Sequence, residues 1–215
     1  DKHISFIQTR SINDNVLFEK LKFFNANASF SCYFPMIIPK KILSLFKNGS
    51  LNLHGALLPE YMGTFSGAWS LLNDEKKSGS TLHYMNEKVD TGDIVDRIEV
   101  LINKNDTALS LYNKISLKSI DLFKKYCMDL AKGMTIPRYS QNFDNAHYYK
   151  RNVPYDGIIN WNWNGRRVYN FWRALNFPPF KNAVTFFEKN EIEIIKCKEI
   201  HSQKKETYGQ ILSIN

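Results

Sequence analysis

What the 215-residue chain lacks narrows it quickly. No run of about 20 apolar residues occurs, so no membrane-spanning helix is expected. The first residues carry no basic-then-apolar leader pattern. Cysteine is sparse: Cys32, Cys127 and Cys197 are far apart and odd in number. With no CxxC pair, neither a zinc site nor a disulfide framework is expected, and a reducing, cytoplasmic setting fits best. There is no Lys/Arg block and no RNA-binding signature. No internal repeat is visible. The chain begins with Asp1 rather than Met, so a fragment, a processed form or a trimmed chain is expected.

What is present describes a globular protein. Hydrophobic residues make up 43% and aromatics 14%, enough to bury a core and too much for a disordered chain. The net charge is +8, from 29 Lys and Arg against 21 Asp and Glu. The excess is spread along the chain. It reads either as a solvated Lys-rich surface or as attraction for a phosphorylated substrate or RNA.

Strand and helix patterns alternate. "DNVLFEKLKFFNA" has apolar residues at 16, 17, 18, 21, 23 and 24, a helical spacing with Asn13 or Asp14 as cap. "SFSCYFPMIIP" predicts a strand running into a loop, and "KKILSLFKNGS" a short helix stopped by Gly49. "LNLHG" predicts the next strand, and "FSGAWSLLNDEKKSG" a helix ending near Asn73. "STLHYMNEKVDTGDIVDRIEVLI" predicts two strands around a turn. A long amphipathic helix follows, capped by Thr107 and stopped by Gly133. This order predicts an α/β sheet with crossover helices over residues 1–133. Residues 134–215 change texture. "MTIPRYSQNFDNAHYYKRNVPYDG" lacks periodicity and reads as a linker. "NGRRVYNFWRALNFPPF" predicts a helix ending before Pro178, and "NAVTFFEKNEIEIIKCKEI" and "YGQILSIN" predict strands in a β-rich tail.

Two stretches carry candidate chemistry. In "LNLHGALLPEYMG", Asn52 and His54 lie two apart, on one side of a strand that breaks into a Leu-Leu-Pro loop. In "EKVDTGDIV", Asp90 sits in a tight turn with Gly92 free to take a left-handed conformation. Each has a plainer reading. Asp90 can satisfy turn amides, and His83 can be an ordinary buried strand histidine. Tyr148, Tyr149, Trp161, Trp163, Phe171 and Trp172 read as packing sooner than as a cofactor box.

Taken together, "NLHGALLPEYMG" and "GSTLHYMNEKVDTGDIV" closely resemble the formyltransferase family that uses N10-formyltetrahydrofolate. The shared pattern is an Asn-x-His strand end, a Leu-Leu-Pro loop, and a Thr-x-His strand leading to an Asp-x-Gly turn. "PYDGIINW" and "VYNFWRALNFPPFKNA" look like the start of that family's C-terminal domain. The resemblance implies a Rossmann-like α/β catalytic domain with a mixed or parallel sheet, lacking its first βα units. A linker and a small β-rich, OB-like C-terminal domain, also incomplete, would follow. Carried over by position, Asn52, His54 and Asp90 match the catalytic trio. Met36, Ile37, Ile38, His83, Val89 and Asp90 fall where the family binds folate. Leu58, Pro59, Tyr61, Gly63 and Phe65 fall where it binds the acceptor. No metal is implied.

"FSGAWSLLN" looks most like the nucleotide-sugar members. The implied acceptor is therefore an amino sugar such as dTDP-4-amino-4,6-dideoxyglucose, for surface polysaccharide and lipopolysaccharide synthesis. Methionyl-tRNA formyltransferase, with tRNA as partner, and then formyltetrahydrofolate hydrolase are the alternatives. Many members have Arg where Met62 stands, which weakens any argument for a phosphate-binding Arg in that loop. A homodimer is compatible with all of these.

The chemistry needs these residue types. The attacking amine must be neutral and must lose a proton, which an imidazole can take near neutral pH. A carboxylate beside it orients the ring and stabilises its cation. An amide NH2 can donate to the developing oxyanion. Further along, Val168, Phe171, Trp172 and Leu175 recur at i, i+3, i+4 and i+7, which predicts a helix docked on the catalytic part or the linker. Arg166 and Arg167 lie at the positive end of that helix and need a partner, either a carboxylate such as Asp156 or a substrate phosphate.

Overall fold

The computed structural model describes residues 6–199. Helix α1 (Asn15–Phe23) starts where Asp14 accepts the Val16 N–H, which settles the cap between the two candidates. Strand β1 (Ser29–Cys32) is followed by the exposed loop 33–39 and the short helix α2 (Lys40–Leu43). Strand β2 (Ser50–His54) is the alternating segment read from the sequence. Then come β3 (Met62–Gly63), α3 (Ser66–Leu72), β4 (Lys77–Tyr84), β5 (Ile94–Leu101) and the long helix α4 (Ala108–Ala131). Thr107 caps α4 in a reciprocal capping box with Ser110.

The main sheet has the order β1-β2-β4-β5. β1 runs parallel to β2, while β4 pairs antiparallel with β2 and with β5, so the sheet is mixed. Side-chain alternation decides which face does what. Leu51, Leu53, Leu82, Tyr84 and Val95 pack against Leu122 and Tyr126 of α4 as one core. Asn52, His54, Thr81 and His83 therefore share the opposite face. The register sets Asn52 beside His83 and His54 beside Thr81.

Residues 134–157 are more than a linker. Tyr139 exchanges both backbone hydrogen bonds with Ile94 (2.8 and 2.9 Å). Strand β6 (Tyr148–Tyr149) pairs in parallel with β3. A two-residue strand has no period to detect, so its pairing was invisible in sequence.

Helix α5 (Gly165–Leu175) is capped by Asn164 and buries Val168, Phe171, Trp172 and Leu175. They form one core with Leu71 and Leu72 of α3 and Leu111 and Ile115 of α4, so the amphipathic stripe is docked. The partners of the arginines differ from expectation. Arg166 bonds Asp74 (2.7 Å) and Glu199 (3.0 Å), not Asp156. Arg167 bonds the Tyr155 hydroxyl and lies over Trp163. Tertiary packing brings Asp74, 92 positions away, nearer than the local carboxylate.

"NAVTFFEKNEIEIIKCKEI" folds as a hairpin of β7 (Val184–Phe187) and β8 (Asn190–Glu193). Glu188 and Lys189 both take positive φ (48° and 69°), the twist a two-residue hairpin needs, without the Asn-Gly that usually signals it. The expected strand "YGQILSIN" lies outside the described residues, as does any closure into an OB-like barrel. Among the described residues, no helix is long and apolar enough to cross a membrane.

Candidate active site

The polar face of the sheet assembles the site at the C-terminal end of β2. His54 closes the strand, and Ser80 Oγ donates to its carbonyl (2.9 Å). Thr81 Oγ1 donates to the Ala56 carbonyl (2.7 Å) and accepts the Leu58 N–H (3.1 Å). The chain after His54 is thus pinned to β4. It returns Tyr61 so that its carbonyl meets His54 Nε2 at 2.7 Å.

That contact fixes the tautomer. A carbonyl only accepts, so Nε2 carries the proton and Nδ1 of the neutral ring is a free lone pair. Nδ1 faces Asp90 Oδ2 at 3.6 Å. The same logic applies to His83. Its Nδ1 donates to the Tyr84 carbonyl (2.8 Å), which leaves Nε2 to accept from Asn52 Nδ2 at 3.1 Å. The Asn52 amide is oriented by this bond, and its second N–H is directed elsewhere. His83 Nε2 is also 3.5 Å from Asp90 Oδ1. Asn52, His54 and Asp90 are therefore brought together, with His83 as the fourth member. Only Asn52 is half-buried; the other three are buried.

Asp90 is held in place from several sides. The Gly63 N–H donates to Oδ2 at 2.8 Å. Gln141 Nε2 donates to the Asp90 and Gly92 carbonyls (2.8 and 2.7 Å). The left-handed residue of the turn is Asp90 itself, at φ 56°, and not Gly92. Gly92 is needed for a different reason: a Cβ there would lie 1.8 Å from the Tyr84 carbonyl oxygen. Gly63 takes φ +90°, and a Cβ would lie 2.1 Å from the Tyr149 carbonyl oxygen.

The electrostatics follow from burial and neighbours. Burial pushes the His54 imidazole below its ordinary value, opposed by the charge of Asp90 and the Tyr61 carbonyl. Burial acts to raise Asp90. The neighbouring His83 and His54 imidazoles and the Gly63 N–H outweigh it and hold the carboxyl below the usual range. A neutral imidazole beside an ionised carboxylate is a base whose cation has a counterion ready.

The remaining sequence-predicted positions divide. Met36 and Ile37 are exposed (Ile37 68%), and Ile38 is half-buried. Among the described residues, no hydrogen bond engages the N–H groups of 36–38. Lys40 pairs with Glu87 at 2.5 Å and ties this loop to the Asn86–Thr91 loop carrying Val89. Exposed apolar side chains beside free backbone donors and acceptors fit a flat heterocycle. His83 is 2% exposed and offers a ligand almost no surface; its contacts are Asn52, Asp90 and the backbone.

Of the acceptor positions, Leu58 is fully buried, and its carbonyl accepts from Arg97 (2.9 Å). The Tyr61 ring stacks on Tyr149, and its hydroxyl donates to Glu75 (2.7 Å). Both side chains are support, because packing has consumed their surfaces. Pro59 lines a cleft of about 580 Å³ with Glu60, Arg97 and Gln141, which excludes His54 and Asp90. Gly63 contributes its N–H to Asp90. Phe65 is 45% exposed, at φ 56°, and open to a ligand. Sequence reasoning missed Gln141, which lies in the segment without periodicity; Tyr149, read as packing, does stack on Tyr61 and Trp69. Among the described residues, no cluster of three or more His, Cys, Asp or Glu is placed to hold a metal ion.

The formyl transferase family matches residues 2–124, and that family's C-terminal domain matches residues 153–215. The bifunctional polymyxin resistance protein ArnA of Wigglesworthia glossinidia brevipalpis is 34% identical over the whole chain, which spans 32% of that protein. GDP-perosamine N-formyltransferase of Brucella melitensis is 34% identical over 82% of the chain and 67% of the relative. Among solved structures, the N-formyltransferase from Helicobacter canadensis, in complex with folinic acid and dTDP-3-aminofucose, superposes with a TM-score of 0.61. It is 31% identical and covers 76% of this chain and 59% of that one. With its first family match alone extending over more than half of its residues, the chain belongs to the formyl transferase family.

Proposed function

We propose that the protein transfers a formyl group from N10-formyltetrahydrofolate to the amino group of a nucleotide-activated amino sugar. The proposed acceptor is dTDP-4-amino-4,6-dideoxyglucose or a close analogue, as a step towards surface polysaccharide. The observation that carries the reading is the convergence of Asn52, His54, His83 and Asp90 with both histidine tautomers fixed. The folate supplies an activated formyl carbon when bound. Met36, Ile37, Ile38 and Val89 would hold its ring system against the two tied loops.

The amine nitrogen forms a bond to the formyl carbon, and the carbon–N10 bond breaks. The amine loses a proton, and N10 gains one. His54 Nδ1 takes the proton, and Asp90, 3.6 Å away, stabilises the resulting imidazolium. The second N–H of Asn52 donates to charge developing on the formyl oxygen. Phe65, exposed beside this loop, is the proposed contact for the acceptor. The amino-sugar reading is supported by the relatives, which include a GDP-perosamine N-formyltransferase and a structure holding folinic acid with dTDP-3-aminofucose.

The test supplies the purified protein with N10-formyltetrahydrofolate and one acceptor at a time: dTDP-4-amino-4,6-dideoxyglucose, GDP-perosamine or methionyl initiator tRNA. Mass spectrometry then follows the formamido product. Formylation of a sugar nucleotide is expected. Formylation of tRNA alone, or formate release without an acceptor, would overturn the choice.

A further inference from the structure

We infer that Gln141 is a positioning residue of this site, acting on the reaction by holding the backbone of the Asp90 turn. The inference rests on the proposed transfer. Its origin is a backbone problem. Asp90 sits at φ 56°, a left-handed conformation that is costly for most residues with a Cβ and that Asp adopts more readily than others. Its carboxylate must nevertheless present one oxygen to His54 and the other to His83.

The side chain that brackets this turn is Gln141. Both N–H bonds of its amide are spent on it, one on the Asp90 carbonyl (2.8 Å) and one on the Gly92 carbonyl (2.7 Å). These carbonyls flank Thr91, so a single planar group spans the left-handed step. The cost is visible. Gln141 Oε1 is buried and has no partner among the described residues. A buried acceptor left unpaired is unfavourable for stability, and such cases collect where geometry serves function.

Gln141 is itself anchored. Two residues earlier, Tyr139 exchanges backbone bonds with Ile94, and Ser140 Oγ donates to Asp93 (3.5 Å). The segment 139–141 is therefore a staple laid along the return into β5. Among the described residues, no hydrogen bond joins Gln141 to any of the four converging side chains. It acts through Asp90.

The consequence for proton transfer has a defined direction. The groups facing His54 are Asp90 from the turn, His83 from β4 and the Tyr61 carbonyl from the loop. Asp90 raises the imidazole's proton affinity against the lowering by burial. If the turn relaxes and the carboxylate moves off, His54 becomes a weaker base.

Gln141→Met removes both donors at similar volume. Gln141→Glu sets a carboxylate against two carbonyls. Both variants are to be compared with the parent chain in rate, pH profile and thermal melting. A displacement of about 1 Å at a reacting group costs on the order of 100-fold, so kcat is expected to fall by about 10- to 100-fold in each. The KM for the sugar nucleotide should change little, and the acid limb of kcat/KM should move to lower pH. A merely structural role would lower the melting temperature without moving that limb. Unchanged kcat and pH profile in a folded Gln141→Met would overturn the inference while leaving the formyl-transfer reading intact. Full activity in His54→Ala would sink that reading instead.

Discussion

Gly63→Ala is the sharpest test of how the site is held. Gly63 is at φ +90°, where a Cβ costs about 1–2 kcal/mol. The added methyl would lie 2.1 Å from the Tyr149 carbonyl oxygen. Backbone, not a flexible side chain, must then give way. Reaching an ordinary contact of about 3.4 Å moves β3 and β6 apart by more than about 1 Å. Two hydrogen bonds suffer: Thr64 N–H to the Tyr149 carbonyl (3.0 Å) and Gly63 N–H to the Asp90 carboxylate (2.8 Å). A neutral bond contributes about 1 kcal/mol, and one to a charged group about 1.5–3 kcal/mol. The combined destabilisation is about 3–6 kcal/mol, which for a chain of this size lowers Tm by roughly 10–20 °C. The same displacement at Asp90 is expected to cost about 100-fold in turnover. Calorimetry and single-turnover transfer at a temperature where the variant is folded measure the two separately. Gly165→Ala is the control, because nothing lies within 4 Å of a Cβ there. A Gly63→Ala protein with parental Tm and rate, indistinguishable from the control, would refute the reasoning.

Asn52→Ala should lose on the order of 100-fold or more in transfer rate at little cost in folate binding, measured by single turnover and equilibrium titration. The pH profile has a defined sign. His54 must be neutral in the free protein, and its folded value lies below the ordinary 6.5. The rate constant kcat/KM should therefore hold level at neutral pH and fall only as pH drops through that depressed value. An acid limb centred above 6.5 would contradict the buried, Nε2-protonated ring. Trp172→Ala removes a buried ring and its N–H bond to the Ile194 carbonyl (2.8 Å). It should cost about 3–5 kcal/mol in chemical denaturation; less than 1 kcal/mol would mean that α5 is not docked as described.

Part of this was legible because it is local. Asn52 and His54 share a face because strands alternate every second residue. Leu51 and Leu53, on the other face, were bound to seek a core. Asp14 and Thr107 were readable as caps because a cap acts within three residues of itself. The Asp90 turn was recognisable, but its detail was not. The left-handed residue is Asp90, and Gly92 is required by the approach of the Tyr84 carbonyl, which no local pattern encodes. Arg166 likewise found Asp74 across the molecule, where the sequence pointed to a nearby carboxylate such as Asp156 or to a substrate phosphate.

The sequence by itself determined the alternation of elements and the apolar stripe of α5, since these depend on periodicity, and its resemblance to a known family implied that Asn52, His54 and Asp90 act together. Only the tertiary structure decided how they are held. Tyr61's carbonyl selects the His54 tautomer, His83 orients the Asn52 amide, and Gln141 and Tyr149 bring a segment without periodicity against the Asp90 turn and Gly63. Those contacts join residues tens of positions apart through single hydrogen bonds and short backbone pairings. Such bonds leave no repeating trace in a sequence, because their partners are set by where the chain returns and not by what lies beside them.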